Sequence, residues 1–422
     1  MRITILTAGS RGDVQPYVAL GIGLQRLGFK VRIATHKIFA SLIREYDLDF
    51  APLEGDPRAV VQAAEGRDWV ASGRNPFGFL AGFQRLMGPV MQQAFQDAWV
   101  ACQDSQAVLV SSLGFYPGHS IAHKLGVPLL QAYLQPIHPT SAFPSPIFPT
   151  PLKGHILYNY LTHVLGGQLF WQVMRPGLNL ARHELLDLPP LPGMGALVFW
   201  DLARRSLPVV YGYSPSVLPR PHSWGEWINV VGYWFMPESD WTPPNDLADF
   251  IAAGKPPVYV GFGSMADRDP ERLTGIVLEA LARSGQRAVV LSGWGGLQPG
   301  DLPDSVFPVN SVPHAWLFLR VAAIVHHGGA GTTASALRAG VPSIVVPFFG
   351  DQFFWGQTIT RLGVSPGVLE RRELNGERLA SFIHAAVQDQ GVRSRAEALG
   401  ARIRAESGVE KAAALFKSYL RA

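Results

Sequence analysis

Residues 321–340 read VAAIVHHGGAGTTASALRAG, and this stretch decides the fold of the second half of the chain. The apolar run at its start is typical of a buried strand, and TTASALRAG is typical of a helix that ends at a glycine. A strand that turns through glycines directly into a helix is the repeating unit of a parallel α/β sheet. The stretch therefore predicts an α/β domain in this half of the chain.

The turn inside this stretch has the composition of an anion-binding site. Gly328, Gly329 and Gly331 let the backbone turn sharply and come close to a ligand. The first turn of the following helix offers unpaired N–H groups and the positive end of the helix dipole, which together favour a phosphate. The alternative interpretation is a tight turn in which the glycines only permit packing.

The polar side chains beside the glycines fit a phosphate ligand. Thr332 and Thr333 add hydroxyl donors, and a histidine at the end of a strand can donate to a phosphate oxygen. Because side chains alternate in direction along a strand, we expect His327 to contact the ligand and His326 to pack inside the domain.

Strands and helices alternate through both halves of the chain. Strand-like runs occur at 3–7, 31–35, 107–112 and 127–134, and again at 258–265, 288–294 and 343–352. A proline-rich break at 232–257 separates the two series, and 422 residues exceed what one hydrophobic core normally supports. We therefore predict an α/β protein of two Rossmann-like domains with parallel sheets facing across a cleft. The predicted domains are 1–236 and 237–392, and a C-terminal helix over 393–422 is expected to cross back to the first domain.

Composition limits the classes of partner. The chain is 47% hydrophobic and 16% charged with a formal net charge of +4, and it has no Lys/Arg block, so no nucleic-acid partner is expected. Weak attraction to an anionic membrane surface is left open. Cys102 is the single cysteine, which excludes an internal disulfide and a thiolate metal site. The N-terminus leads directly into a strand, and no apolar run reaches the roughly 20 residues that span a bilayer, so we expect a cytoplasmic protein.

Five motifs together resemble the inverting family 1 glycosyltransferases of the two-domain GT-B fold, and most of all the sterol 3-β-glucosyltransferases and the vancomycin-type glycopeptide glycosyltransferases. The motifs are TAGSRGDVQPYVALG (7–21), VYVGFGSM (258–265), LSGWGGL (291–297), VPHAWLF (312–318) and HHGGAGTTASALRAGVPSIVVPFFGDQFFWG (326–356). The last motif is highly specific, whereas the aromatic segments of the first half match only in general character.

The resemblance implies a nucleotide-sugar donor, UDP-glucose in the sterol enzymes, bound by the second domain. His327, Ala330, Gly331 and Thr332 match the positions that bind the diphosphate, and Ser264 matches a further phosphate contact. Val312 matches the position that meets the base. Asp351 and Gln352 match the pair that binds the sugar hydroxyls, a role suited to a carboxylate and an amide. The alternative for this pair is an ordinary polar loop after a buried strand.

The resemblance also implies that Asp13, in the sequence GSRGD, is the general base that takes the proton of the acceptor hydroxyl. Ser10 and Arg11 are expected to reach the diphosphate from the first domain. Asp13 also suits a helix N-terminal cap, and the two roles are compatible. No histidine occurs in residues 7–21, which departs from relatives that use a histidine–aspartate dyad and favours Asp13 acting directly.

No metal or other cofactor is expected, because the Asp-x-Asp sequences at 47–49 and 267–269 fall in predicted turns or helix starts. The expected acceptor is a hydrophobic hydroxyl compound such as a sterol, with a polyketide, macrolide, carotenoid or glycopeptide aglycone as alternatives. Aromatic residues of the proline-rich segment 135–154 and the helical segment after it line either an apolar acceptor pocket or the ordinary core of the domain. Candidate acceptor contacts are His119, Phe143 and Phe148.

We therefore expect a monomeric, inverting, metal-independent UDP-glucosyltransferase with a nucleotide sugar and a hydrophobic small molecule as its partners. The alternatives are a natural-product glycosyltransferase that uses another nucleotide sugar, a nucleotide-sugar epimerase of the same fold, and a non-catalytic nucleotide-sugar-binding partner protein. The GSRGD turn and the aromatic segments disfavour the epimerase.

Overall fold

A computed structural model describes most of the chain, which divides into two compact units. The described residues are 1–62, 65–66, 69, 75–148, 155–204, 207–238, 240–263, 269–292 and 302–421. The first unit comprises Met1–Val60, Asn75–Met236 and Glu406–Ala422, and the second comprises Val61–Arg74 and Pro237–Ala405. Each unit contains a parallel sheet flanked by helices, so the predicted α/β class is confirmed.

The strands are short, and most of them are buried. They are β1 (Arg2–Leu6), β2 (Lys30–His36), β3 (Asp49–Leu53), β4 (Ala107–Val110), β5 (Leu129–Tyr133), β6 (Val209–Tyr211), β7 (Ile228–Val230), β8 (Val258–Gly261), β9 (Ala288–Leu291), β10 (Val306–Val309), β11 (Ala323–His326) and β12 (Ser343–Val345). Sequences such as AVLV in β4 are buried along their whole length, because both faces of a parallel sheet are covered by helices.

The helices follow the strands as connections. They are α1 (Arg11–Arg26), α2 (Ala40–Arg44), α3 (Pro57–Gln62), α4 (Pro76–Cys102), α5 (Phe115–Leu125), α6 (Ile156–Leu186), α7 (Gly195–Arg204), α8 (Asn245–Ala252), α9 (Pro270–Ser284), α10 (His314–Leu317), α11 (Ala330–Ala339), α12 (Gln352–Arg361), α13 (Gly376–Gln388), α14 (Gln390–Arg404) and α15 (Gly408–Arg421). Among the described residues, none of these helices is long and apolar enough to cross a membrane.

In the first unit, seven parallel strands lie in the order β3-β2-β1-β4-β5-β6-β7. β1 is an interior strand, so residues after its carboxyl end are flanked by the ends of β2 and β4. α1 packs its Val14, Tyr17 and Val18 into the core, and the Tyr17 hydroxyl donates to the carbonyl of Ala132 at 2.7 Å. The turn after β1 thus leads into a helix that is firmly packed against the sheet.

In the second unit, five parallel strands lie in the order β10-β9-β8-β11-β12. The register pairs His326 at the end of β11 with Gly261 of β8 on one side and Val345 of β12 on the other. The residues that follow these three strands therefore emerge at the same edge of the sheet.

Three details differ from the sequence-based expectations. α1 already begins at Arg11, so Asp13 lies in the first helical turn rather than in a loop. Val61, Gln62 and Trp69 group with the second unit, where the Trp69 ring lies 5.2 Å from that of Phe349. The C-terminal segment forms two helices, α14 and α15, and the division between the units falls after Ala405 rather than after residue 392.

The break between α14 and α15 coincides with contacts to residues that are distant in the sequence. The Glu406 carboxylate accepts hydrogen bonds from the hydroxyls of Ser214, at 2.6 Å, and Ser216, at 3.0 Å. The backbone of Gly408 lies so close to that of Gly232 and Tyr233 that no side chain fits there. These contacts fix the chain within the first unit and end the helical run.

Candidate functional site

The turn after β11 brings its glycines into close contact with neighbouring backbone. Gly328 has φ of 89°, a left-handed conformation that favours glycine. A Cβ atom at Gly328 would lie 2.6 Å from Cγ1 of Val345 and 2.9 Å from the carbonyl oxygen of Gln352. The turn therefore packs directly against the start of α12, which places the HHGGAGTT sequence beside Asp351 and Gln352.

The two histidines have different surroundings, as the alternation along a strand predicts. His326 is fully buried, and its Nδ1 accepts the backbone N–H of Gly328 at 3.1 Å. The half-buried ring of His327 lies between Gly263 and Gly329, where added Cβ atoms would collide with it. Burial lowers the pKa of His327 to about 4, so the imidazole is neutral near pH 7. Its Nδ1 is buried and, within the described part of the chain, has no hydrogen-bond partner.

The N-terminus of α11 is open. Its N-cap residue is Gly329, which has no side chain to accept the N–H groups of the first turn. The N–H of Thr333 donates to the carbonyl of Gly329 at 2.9 Å, so the preceding N–H groups of Ala330, Gly331 and Thr332 lie ahead of the first helical hydrogen bond. An open helix N-terminus beside a neutral histidine can bind a diphosphate.

Asp351 and Gln352 lie at the start of α12, but they differ in what their side chains do. The Gln352 oxygen accepts the backbone N–H groups of Phe348, at 2.7 Å, and Phe349, at 3.3 Å, so it holds the turn after β12. The half-buried Asp351 accepts the indole N–H of Trp355 at 3.0 Å. Gln352 is 4% exposed and thus has a supporting role that the sequence did not indicate. Sugar binding by either residue stays a prediction.

For Val312 and Ser264, also predicted to bind the donor, the structure gives at most a position. Val312 is 8% exposed and packs in the apolar cluster that contains Tyr259 and Leu317. Ser264 lies outside the described residues, which stop at Gly263 on that side. The base contact of Val312 and the phosphate contact of Ser264 therefore stay predictions.

In the first unit, Asp13 closes the N-terminus of its own helix. Its Oδ2 accepts the backbone N–H of Ser10 at 2.9 Å and the Ser10 hydroxyl at 2.9 Å. Gly9, with φ of 125°, brings the backbone so close that a Cβ atom there would lie 2.6 Å from Oδ2. Burial raises the pKa of Asp13 above its usual range, and the hydrogen bonds from Ser10 oppose that rise. The cap role is thus present, and the carboxylate is also a stronger base than a solvated aspartate.

His36 supports this turn and was not found from the sequence. It ends β2, the neighbour of β1, and its Nε2 accepts the backbone N–H of Gly9 at 3.2 Å. Accepting this bond requires an unprotonated Nε2, and burial lowers the pKa of His36, which favours the neutral ring. The sequence feature that could have indicated this role is a polar residue at the carboxyl end of β2, the strand next to β1.

Arg11 does not join this arrangement. Its side chain is exposed, and its Nε donates to Oε1 of Gln15 at 2.8 Å along the surface of α1. The structure thus brings Ser10, but not Arg11, into contact with the Asp13 carboxylate.

Of the three candidate acceptor contacts, Phe143 and Phe148 lie against α6, while His119 lines a cavity. His119 lines a cavity of about 730 Å³ with His123 and Pro128, which lies at the amino end of β5, opposite the edge that carries Asp13. Phe143 is 3% exposed, and its carbonyl accepts Nε2 of His163 at 3.1 Å. The Phe148 ring packs against Gly166 of α6. Phe143 therefore belongs to the core of the unit, and the position of His119 disfavours an acceptor contact beside Asp13.

Among the described residues, no group of three or more His, Cys, Asp or Glu side chains is arranged to hold a metal ion. Asp269, from the second Asp-x-Asp sequence, caps α9 by accepting the N–H of Arg272 at 2.9 Å. Independence from metal stays a prediction.

Family comparisons agree with this architecture. Residues 3–134 match the glycosyltransferase family 28 N-terminal domain, and residues 278–412 match the C-terminal domain of the erythromycin biosynthesis protein CIII-like family. Sterol 3-beta-glucosyltransferases from Aspergillus fumigatus and from Cryptococcus neoformans var. neoformans are each 38% identical to this chain over 98% of its length. The chain spans 29% and 27% of the length of these two relatives.

Solved structures of glycosyltransferases share the whole fold. The glycotransferase of kitacinnamycin has a TM-score of 0.70 at 18% identity, covering 99% of this chain and 98% of its own. The Streptomyces enzyme SsfS6, complexed with thymidine diphosphate, has a TM-score of 0.65 at 19% identity, covering 99% of both chains. The chain therefore belongs to the family 1 glycosyltransferases of the GT-B fold.

Proposed function

We propose that this protein transfers glucose from UDP-glucose to the hydroxyl group of a sterol or a similar hydrophobic alcohol, with inversion at the anomeric carbon. The observation that carries the proposal is the open N-terminus of α11 beside the neutral His327, together with Asp13 of the other unit, whose pKa is raised by burial. The 38% identity to sterol 3-beta-glucosyltransferases supports the choice of acceptor.

The second unit binds the donor in this proposal. The N–H groups of Ala330, Gly331 and Thr332 donate to the diphosphate, and the N–H of His327 donates to a further phosphate oxygen. These donors are fixed before the reaction, so they stabilise the negative charge that develops on the leaving group without reorganisation. Asp351 binds hydroxyl groups of the sugar, while Gln352 holds the turn that presents Asp351.

The first unit supplies the base. The acceptor oxygen attacks the anomeric carbon, its proton passes to the Asp13 carboxylate, and the bond between the anomeric carbon and the phosphate oxygen breaks with both electrons leaving on UDP. Ser10 and His36 keep the carboxylate in place through the turn at residues 9–13. Burial of Asp13 helps because it raises the proton affinity of the carboxylate.

The experiment is incubation of the purified chain with UDP-glucose and a panel of sterols and polyketide alcohols, followed by mass spectrometry for the hexoside. We expect a sterol hexoside, a β-linkage by proton NMR, and the same rate in excess EDTA. An Asp13→Asn variant that still binds UDP serves as the matched control for background transfer.

One alternative is supported by a specific observation: SsfS6, a structural relative, was crystallised with thymidine diphosphate. Calorimetric titration with UDP and with TDP distinguishes the donors, and tighter binding of TDP would favour a natural-product glycosyltransferase. Binding of UDP with no hexoside from any acceptor in the panel would favour a non-catalytic binding partner.

A further inference from the structure

The first three turns of α6 carry an exposed apolar face. We call it the α6 apolar face, and its members are Ile156, Leu157, Tyr160, Leu161, Val164 and Leu165. The spacing i, i+1, i+4, i+5, i+8 and i+9 places all six on one side of a helix. Ile156 is 71% exposed and Leu157 is 68% exposed, whereas apolar side chains on the inner side of a helix are normally buried. A contiguous apolar surface of this kind marks an interaction site.

The opposite side of the same turns is buried and holds a loop of the first unit. The Thr162 hydroxyl accepts the backbone N–H of Ser145 at 2.9 Å, and His163 bonds the carbonyl of Phe143 at 3.1 Å. Gly166 receives the ring of Phe148. The helix is therefore fixed in its rotation, and the apolar face cannot turn inward. The loop it holds, 143–148, belongs to the segment that we considered as a lining of the acceptor pocket.

A second exposed aromatic residue lies at the same end of the neighbouring helix. α4 runs alongside α6 in the same direction, because Phe83 pairs with Phe170 at 5.2 Å and Gln92 donates to Glu184 at 2.8 Å. Phe77 lies six residues before Phe83, and Val164 lies six residues before Phe170. Each therefore lies about 9 Å from the Phe83–Phe170 pair, toward the N-terminus of its helix. Phe77 is 66% exposed. An exposed apolar side chain of α4 therefore lies at the same level along the helix pair as the α6 apolar face.

The N-terminal parts of these helices carry basic and no acidic residues. Between Pro76 and Gln96, α4 contains Arg85 and no acidic residue, and between Ile156 and His183, α6 contains no acidic residue; of its two arginines, Arg175 is half-buried and Arg182 is buried. Arg85 is exposed. The first carboxylates are Asp97 and Glu184, far along both helices. Apolar side chains with basic residues and no acidic ones are complementary to an anionic lipid surface.

We propose that the α6 apolar face, with Phe77 and Arg85, docks on a lipid bilayer that contains anionic lipid. The apolar side chains enter the boundary between headgroups and acyl chains, and Arg85 lies at headgroup level. If the acceptor is a sterol, which rests on the function proposed above, docking holds the 143–148 loop about 10 Å, one helix diameter, from the bilayer that contains the acceptor.

The test is flotation of the full chain with vesicles of phosphatidylcholine alone and of phosphatidylcholine with 30% phosphatidylserine, on the order of the anionic content that gives a strongly negative surface. We expect the wild-type chain to float with the anionic vesicles. The variant L157Q/L161Q/L165Q should lose binding tenfold or more, because three apolar side chains no longer enter the bilayer. Arg85→Gln should lose about fivefold, and only on the anionic vesicles.

Two matched controls separate this effect from a general loss of apolar surface. Leu180→Gln alters an exposed leucine on the distant half of α6, and Leu319→Gln alters one in the second unit. Both should float like the wild type. Equal melting temperatures by circular dichroism would show that the triple variant is folded, as expected for exposed positions.

A second readout separates this proposal from the proposed function. With a sterol in detergent micelles the triple variant should transfer sugar at the wild-type rate, and with the sterol in vesicles it should be slower. Absence of any transfer would contradict the proposed function but leave the flotation result intact. Flotation of the triple variant at the wild-type level would overturn the docking proposal. Self-association of the wild type in sedimentation, abolished in the triple variant without any vesicle binding, would also overturn it and identify a second copy as the occupant.

Discussion

The starts of α1 and α11 are built alike and carry opposite charge preferences. Each helix follows a strand of a parallel sheet through a glycine turn, and each is placed at the carboxyl edge of that sheet. In α1 the third helical residue is Asp13, whose carboxylate accepts the N–H of the N-cap Ser10. In α11 the third helical residue is Thr332 and the N-cap is Gly329, so the first turn of the helix contains no carboxylate of its own.

This difference explains how one local structure serves two functions. The helix end that contains its own anion repels a phosphate but keeps a carboxylate in a fixed position, as a base requires. The helix end without an anion can bind the diphosphate of a ligand. The histidines beside the two helix starts differ in the same way. His36 accepts a backbone N–H and so holds the turn before α1, while Nδ1 of His327, beside α11, has no partner within the described residues.

The largest effect is expected when the start of α1 loses the charge of Asp13. Asp13→Asn keeps the size of the side chain but cannot accept the acceptor proton, so kcat should fall by about 10²–10⁴-fold. UDP affinity, measured by calorimetry, should stay within about twofold, because the donor binds the other unit. A parallel collapse of UDP affinity would show that Asp13 has a structural role instead.

The start of α11 becomes like the start of α1 when Thr332 is replaced by a carboxylate residue, because Thr332 and Asp13 are each the third residue of their helix. Thr332→Asp should weaken UDP binding about 100-fold, because two anions then compete for one helix end. Thr332→Asn is the matched control of equal size and should lose far less. Uridine, which lacks phosphate, should bind both variants equally, and a similar loss for uridine would contradict this location of the diphosphate.

A smaller effect is expected from the histidine beside the second turn. His327→Ala should weaken UDP binding about tenfold through the loss of one hydrogen bond to a charged group. Since burial holds the pKa of His327 at about 4, the ring stays neutral between pH 6 and 8 and adds no pH dependence to UDP affinity in that range. Titration at the two ends of this range checks the prediction, and a strong rise in affinity toward pH 6 that disappears in His327→Ala would contradict it.

The smallest effect concerns the acid side of the pH–rate profile. The Ser10 hydroxyl stabilises the ionised form of Asp13, so Ser10→Ala should raise the pKa of Asp13 further. Because the base must be ionised, kcat/KM should then decline at a higher pH than in the wild type, while the rates at alkaline pH should coincide. An acid limb that does not move would argue that another group controls it.

Local features of the fold were predictable because they depend on neighbouring residues. The parallel α/β class, the glycine turn after β11 and the different positions of His326 and His327 follow from periodicity along a few residues. The break between α14 and α15 was missed, because it depends on contacts of Glu406 with Ser214 and of Gly408 with Gly232, which are far away in the sequence.

The same reason separates the predicted from the missed features of the site. His36 reaches Gly9 only because β1 and β2 are adjacent in register, and Gln352 turns its oxygen to the backbone of the preceding loop. Phe143 and the α6 apolar face show that aromatic content alone cannot tell a buried side chain from an exposed one. Which side of α6 faces inward is decided by the bonds of Thr162 and His163.

A crystal structure of the chain with UDP bound would show directly where the diphosphate lies. We expect diphosphate oxygens within about 3 Å of the backbone N–H groups of Ala330, Gly331 and Thr332, with His327 donating to one of them. A diphosphate bound elsewhere, with the N-terminus of α11 left to solvent, would contradict this expectation.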